Sequence, residues 1–585
     1  MSIYKIIFDS RNYENWTIVS PSTLENIIIE GFNPTQHKLF NNDVFTYNNE
    51  TVEIVHSSMR YNENIPAVII LNNNKTYGRE IKANKKPSKQ LLYKCIPDDV
   101  RLPVFLVPYD IKQLGFSKVL TNLYVTICYK QWDDKHPHAT ISQIIGSVDI
   151  LNHFYKYQLY CKSLNTSIQN FRKETNKSMK SLNLQKHQDH DNYITEIHKK
   201  HPQIEDRTDW NIFTIDSITT FDYDDGFSIK KLNDNHILLS IYIANVTIWM
   251  DSLNLWSSFS QRISTIYLPD KKRPMLPTIL SDGLCSLQQN IRRFAFTIDI
   301  ILDQHLQIIS INYTNTLIKV FKNFCYEEPL LLCNEHYHLL FNTTKQMAKK
   351  YKYINNVKDS HDVVCYLMIF MNYNSAQELL KYHSGIFRST IISNKTYLPD
   401  SLPENVYSFI KIWNSNCAQY IDINSISIND TSSYKHELLE MDAYIHITSP
   451  IRRLVDLLNM IKLQEHKLLI NLSSEATHFY NKWIEQLDYI NTTMRAIKKI
   501  QTECSLLDTC FNNSDTLNKI YDGYCFDKLV RNDGLYQFIV YLPELKLSSK
   551  ITVRDNLENY EKRQYKLYLF HNEEKFKRKI RLQLV

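Results

Sequence analysis

The chain has 585 residues, 43% of them hydrophobic and 22% charged, with a formal net charge of +6 from 68 basic and 62 acidic residues. This balance excludes a disordered chain, the length predicts about three to five domains rather than one core, and the modest positive excess permits an anionic partner without requiring one. The 11 cysteines form no Cys-x-x-Cys pair, so neither a zinc site nor a disulfide framework is signalled, and free thiols in a reducing compartment are expected.

The N-terminal MSIYKIIFDSRNYENW lacks the basic-then-apolar order of an export signal. No apolar run reaches the roughly 18 residues that span a bilayer, so the expectation is a soluble, cytoplasmic monomer with no membrane partner. Only 9 glycines beside abundant Asn, Ile, Lys and Tyr fit an AT-rich genome, such as that of a virus or parasite.

Short strands follow: YKIIF, VFTY, TVEIVH and AVIIL, then PVFLVPY, NLYVTICYK and ISQIIGSVDI, separated by Asn, Asp and Pro clusters. They predict two small β-barrels in tandem, over 1–80 and 81–160. Residues 161–205 form a polar linker, in which NTSIQNFRKETNKSMKSLNLQKHQDHDNY reads equally as a charged helix or a mobile connector. Over 206–510, the strands HILLSIYIANV and RFAFTIDIIL precede the helical patterns VVCYLMIFMNYNSAQELLKYH and PIRRLVDLLNMIKLQEHK, which predicts a central α+β domain. From 511 to 585, YDGYCFDKLV, YQFIVYLPEL and YKLYLF lead into the basic KFKRKIRLQLV, a third barrel. The fold class is thus multidomain, with β-barrels flanking a central α+β domain.

Within that centre, TIDSITTFDYDDGFSI places Asp216, Asp222, Asp224 and Asp225 within ten positions. Like charges this close repel unless a counter-ion joins them, and magnesium prefers carboxylate oxygens. With FTID ending a strand and the loop returning to the same point, two metals about 3.5–4 Å apart can activate a water and stabilise the leaving oxygen of a phosphodiester. A solvated acidic turn is the alternative. An EF-hand is excluded, because positions six and twelve counted from Asp216 are Phe221 and Phe227.

Two further stretches keep it company. In YIHITSPIRRLVDLLNM, Ser449 and Pro450 read as an N-cap and first helical position, with Ile451, Leu454, Val455, Leu458 and Ile461 on one face. Arg452 and Arg453 then fall in the first turn, against the helix dipole, which suits a bound phosphate; the alternative is an ion pair with a carboxylate such as Asp456. His446 reads as a packed histidine. RISTIYLPDKKRPMLPTILSDGLCSLQQNIRRFAFTIDI offers Tyr267, which can stack on a nucleobase for about 1–3 kcal/mol, beside a basic cluster.

Taken in order, the acidic, proline-and-cysteine and arginine motifs resemble those of the ribonuclease II and ribonuclease R family, which includes the catalytic subunit of the eukaryotic exosome. LYKCIPDDVRLPVFLVPY and ICYKQWDDKHPHATISQIIGSVDI are similar to its second cold-shock barrel, with a diverged cold-shock barrel before it and an OB-fold barrel at the C-terminus. The resemblance implies magnesium-dependent, processive 3′-to-5′ hydrolysis of single-stranded RNA to 5′-monophosphates. It implies that Asp216, Asp222 and Asp225 hold metal or its waters and that Asp224, also counted with the metal set, is the aspartate whose loss stops catalysis while RNA stays bound. Arg452 is implied to stabilise charge on the scissile phosphate, Tyr267 to stack near the 3′ end, and Tyr326 to clamp the terminal nucleotide and help select ribose. Thr448, Ser449 and Arg453 join them as substrate-binding positions.

The pattern departs where HDVVCYLMIFMNYN has Cys365 and Tyr366 in place of a family glutamate pair, and where Gln501 replaces a later glutamate. The segment from Tyr326 to Met368 is also shortened, without a matching second stacking aromatic. RNA-over-DNA selectivity and product length are therefore open. Two alternatives stand beside the exonuclease reading: an inactive RNA-binding protein of the same fold, and a nuclease with relaxed selectivity.

Overall fold

The computed structural model describes residues 2–585 apart from 49, 73, 82–86, 112–119, 185–186, 233–234, 355, 393–397, 416–417, 428–429, 431, 514 and 573–575. It divides into two compact units, one of Met1–Asn165, Leu268–Asp270 and Lys499–Val585, the other of Thr166–Tyr267 and Lys271–Lys498.

The first unit holds three sheets of barrel type. Strands Ile3–Phe8, Trp16–Val19, Asn26–Ile27, Val44–Asn48 and Thr51–His56 form the first, around a core of Ile6, Phe8, Ile18 and Phe45. In the second, Ile65–Ile69 pairs with both Leu123–Gln131 and Pro87–Pro97, which closes the ring. This register assigns the AVIIL stretch to the second sheet, so the division expected at residue 80 falls inside that barrel. Periodicity shows that a strand exists but not which neighbour it pairs with. The third sheet runs Leu547–Val553, Tyr536–Leu542, Ile520–Val530, Lys562–Asn572, Lys577–Leu584 in spatial order.

The second unit is built on a seven-stranded sheet: β1 (Glu205–Arg207), β2 (Phe213–Asp216), β3 (Asp225–Lys231), β4 (Ile237–Ala244), β5 (Arg292–Leu302), β6 (Ile308–Lys319) and β7 (Lys322–Cys325), in the order β1-β6-β5-β4-β3-β2-β7. Alternation along β4 sends Leu239, Ile241 and Ile243 into one core and Tyr242 and Ala244 into another, so the sheet is covered on both faces. One face packs Val363, Leu367 and Phe370 of α1 (Ser360–Lys381); the other packs Leu454, Leu458 and Ile461 of α2 (Leu454–His466). Each such side chain is worth about 1.5–3 kcal/mol when fully buried.

The polar linker expected over 161–205, for which charged helix and connector stood as alternatives, is largely helical, with helices Gln169–Ser181 and His187–Lys200. Phe171, Thr175 and Met179 recur every four residues on one buried stripe, and Ile194 and Ile197 join the same core. That narrow stripe is diluted by lysines and asparagines, which is why composition alone does not separate a helix from a connector. Among the described residues, no helix is long and apolar enough to cross a membrane.

Candidate functional site

β2 and β3 run antiparallel, with Phe213 opposite Phe227, so β2 ends at Asp216 close to where β3 begins at Asp225. Gly226 makes the approach possible, since a Cβ there would lie 3.3 Å from the Phe213 carbonyl oxygen. The loop between them is held by the serine of the CSLQQ segment. Ser286 Oγ donates to the Phe221 carbonyl at 2.9 Å and accepts the Tyr223 N–H at 3.0 Å, while the Leu287 N–H donates to the Tyr223 carbonyl. The Ala244 N–H bonds the Asp224 carbonyl. The acidic loop therefore has a fixed shape.

Its four carboxylates meet different partners. Asp224 is buried; its Oδ1 accepts the Ile451 N–H at 3.1 Å and its Oδ2 lies 3.2 Å from Arg452 Nε. Asp222 accepts from Lys272 Nζ at 3.0 Å, and Lys272 also reaches Asp282 at 3.2 Å. Asp216 and Asp225 each keep a buried Oδ2 with no hydrogen-bond partner.

Electrostatics follow from this division. Burial pushes Asp216 up to about 7 and Asp225 up to about 8, the charges of Asp224 and Asp222 adding to the rise of the first and that of Asp216 to the rise of the second. Burial also lifts Asp224 to about 7, opposed by Arg452 and the Ile451 N–H. Asp216 and Asp225 are short of positive charge, and a hard divalent cation matches their oxygen donors. Among the described residues, however, no group of three or more His, Cys, Asp or Glu side chains is assembled as a ready metal cage. Asp222 is paired with Lys272 and Asp224 with Arg452.

The arginine segment differs from its sequence reading. α2 begins at Leu454, not beside Ser449, and Arg453 is extended at φ −137°, ψ 127°. Ser264 bridges Arg453, the Thr265 N–H donates to the Arg452 carbonyl and the Leu454 N–H to the Ile263 carbonyl. These strand-like contacts override the local Ser-Pro cap signal. Arg452 thus projects from the turn before the helix, its Nη2 donating to Ser449 Oγ at 3.0 Å. Arg453 is committed to buried Asp456, with Nη2 2.9 Å from Oδ1, and Asp456 also accepts the Ser449 N–H. Thr448 and Ser449 are buried.

Of the aromatic candidates, Tyr267 is exposed on strand Ile266–Leu268, where partial desolvation and the charge of Asp222 raise its pKa. Tyr326 follows β7, which pairs in parallel with β2, and its N–H donates to the Asp216 carbonyl at 3.0 Å. Cys365 is exposed on α1, whereas Tyr366 is fully buried. His446 is packed against Tyr420, whose hydroxyl is 2.7 Å from Nδ1. Sequence reading missed Lys272, Ser286 and the Ile451 N–H. Only the basic cluster of DKKRP signalled the first.

Residues 204–336 match the RNB domain family. Ribonuclease R of Chlamydia pneumoniae is 25% identical over 332 residues, covering 47% of this chain and 48% of that protein, so the match spans about half the length of that relative. Exoribonuclease 2 of Yersinia enterocolitica is 42% identical over 98 residues, 17% of this chain and 15% of that one. In fold, the chain is similar to Mycoplasma genitalium RNase R, solved in complex with ribose-methylated single-stranded RNA, with a TM-score of 0.67, 15% identity and full coverage of both chains. It is also similar to yeast Ssd1, a pseudonuclease, with a TM-score of 0.57 and 12% identity over 96% of this chain and 80% of that one.

Proposed function

We propose that this chain, which carries an RNB domain and is a homologue of ribonuclease R and exoribonuclease 2, is a magnesium-dependent exoribonuclease that shortens single-stranded RNA processively from its 3′ end, releasing 5′-monophosphates. The observation that supports this reading is the pairing of Arg452, from the segment before α2, with buried Asp224 of the acidic loop, in which Asp216 and Asp225 each keep a buried Oδ2 without a hydrogen-bond partner.

Asp216 and Asp225 are the residues that would hold the cation, with Asp222 joining once Lys272 moves wholly to Asp282. Bound Mg²⁺, as a pair of ions, supplies Lewis acidity and a water acidic enough to ionise near neutral pH. Asp224 orients Arg452 through the Nε contact. That leaves other guanidinium N–H groups for the equatorial oxygens of the scissile phosphate, whose charge grows as water attacks phosphorus and the bond to the 3′ oxygen breaks. Tyr267 supplies an exposed aromatic face for a base near the 3′ end, Tyr326 stands beside the acidic loop, and Cys365, where a glutamate would aid ribose recognition, weakens the preference for RNA over DNA.

A second reading is a chain that binds RNA without cleaving it; its support is the fold shared with Ssd1, a pseudonuclease. A 5′-labelled single-stranded RNA in magnesium separates the two, with Asp224→Asn and a matched DNA alongside. Shortening by the unmodified chain only, with RNA still bound by the variant, supports the exonuclease. RNA bound and intact with both proteins makes the chain an RNA-holding module.

A further inference from the structure

Beside the acidic loop, the ring of Tyr326 lies face to face on the imidazole of His361, with centroids 3.6 Å apart and planes 8° from parallel. The two come from different elements, Tyr326 from the end of β7 and His361 from the first turn of α1. Their mutual position is fixed by the main chain. The Tyr326 N–H donates to the Asp216 carbonyl. The Glu327 N–H donates to Ser360 Oγ at 3.2 Å, and the Ser360 N–H returns a bond to Glu327 Oε1 at 2.7 Å. This reciprocal clamp joins the residue after Tyr326 to the residue before His361.

The two rings differ in exposure. Tyr326 is partly buried against the core that covers one face of the sheet, whereas His361 is exposed. One helical turn further along α1 stands Cys365, small and itself exposed, while Val364, the other neighbour on that side, is buried. The charges of Asp225 and Asp216 reach the Tyr326 hydroxyl, which places the stack within electrostatic range of the hydrolytic loop.

We infer that His361 is a nucleobase-stacking residue. With one ring face covered by Tyr326, the imidazole offers its other face as the ledge on which the 3′-terminal base of a single-stranded RNA lies, and Tyr326 backs it from beneath. The inference rests on the exoribonuclease reading and adds to it a contact that neither the acidic nor the arginine motif contains. Stacking needs a flat ring and no particular base, because every base presents a π-face. Phenylalanine at 361 therefore preserves the ledge and alanine removes it.

The test uses the full chain in chelator, a short single-stranded RNA ending in 2-aminopurine, and the same RNA with an abasic 3′ end. Stacking quenches 2-aminopurine fluorescence. The unmodified chain and His361→Phe are expected to quench it, and both are expected to bind the abasic RNA more weakly, by roughly 5- to 150-fold if one stack is lost. His361→Ala is expected to lose the quench and to bind both RNAs alike. Equal quenching by His361→Ala, no restoration by His361→Phe, or indifference of the unmodified chain to the abasic end would each overturn the ledge. Should the alanine variant not fold, the phenylalanine variant and the abasic arm decide it. Quenching by a chain that leaves RNA intact in magnesium defeats the exonuclease reading and keeps the ledge; cleavage with no quench does the reverse.

Discussion

Arg452 Nε lies 3.2 Å from Asp224 Oδ2, while the neighbouring Ile451 N–H donates to the other oxygen of the same carboxylate. Asp224 therefore holds a guanidinium and the turn that carries it. Removing the guanidinium should leave the fold and RNA binding largely intact while lowering kcat. Arg452→Ala is expected to cost about 10²- to 10³-fold, the range for loss of one preorganised donor to a developing charge. Single-turnover cleavage beside a binding titration checks it, and parallel losses in both would assign Arg452 to binding instead.

The carboxyls of Asp216 and Asp225 are held at about 7 and about 8 in the folded chain, against about 4 when unfolded. Between those limits the folded chain binds more protons than the unfolded one, so the stabilising contribution is complete below about pH 4 and is lost as pH rises through 7 and 8. In chelator, thermal stability should fall from pH 6 to pH 8, by up to about 1.4 kcal/mol per pH unit for each carboxyl that ionises. Asp225→Asn should flatten the fall, and Mg²⁺ should offset it by favouring the ionised forms. Melting curves at several pH values decide this, a flat profile counting against the burial argument.

Lys272 competes for Asp222. Its Nζ sits 3.0 Å from that carboxylate and 3.2 Å from Asp282. Lys272→Met removes a positive charge beside the cation position, so half-maximal cleavage should need several-fold less Mg²⁺, and cation binding followed by calorimetry should tighten in step. An unchanged or raised requirement would mean that Lys272 only braces the loop.

Asp456 has a structural task. It is fully buried and neutralises Arg453 through two close contacts, 2.9 Å each. Asp456→Ala strands a partly buried guanidinium and should destabilise the chain, by up to about 3–5 kcal/mol. Replacing both residues by apolar ones of similar size should recover much of that loss. Chemical denaturation of the two variants provides the comparison.

The four aspartates and Arg452 were conspicuous in the sequence as short stretches of concentrated charge. What holds them was not. Lys272, Ser286 and the Ile451 N–H reach the acidic loop across about 50 to 230 residues of sequence, a range at which spacing carries no information. The start of α2 shows the same limit in another form. Ser449 and Pro450 make a sound local cap, yet the bridge from Ser264 to Arg453 keeps the chain extended until Leu454. Likewise Ile65–Ile69 was visible as a strand, but its membership in the second barrel depends on pairing with segments far along the chain.

The parallel pairing of β2 with β7 joins Asp216 to Tyr326 through one peptide hydrogen bond. An enzyme that trims a polymer unit by unit must seat each new end at a constant distance from the bond it cuts. On the proposed reading that distance belongs to backbone register, not to a side chain, and is therefore indifferent to which nucleotide arrives. Substitutions at 326 or 361 would change how long an end stays seated. Only a slip of one strand against the other, which a buried sheet resists, would change the stride.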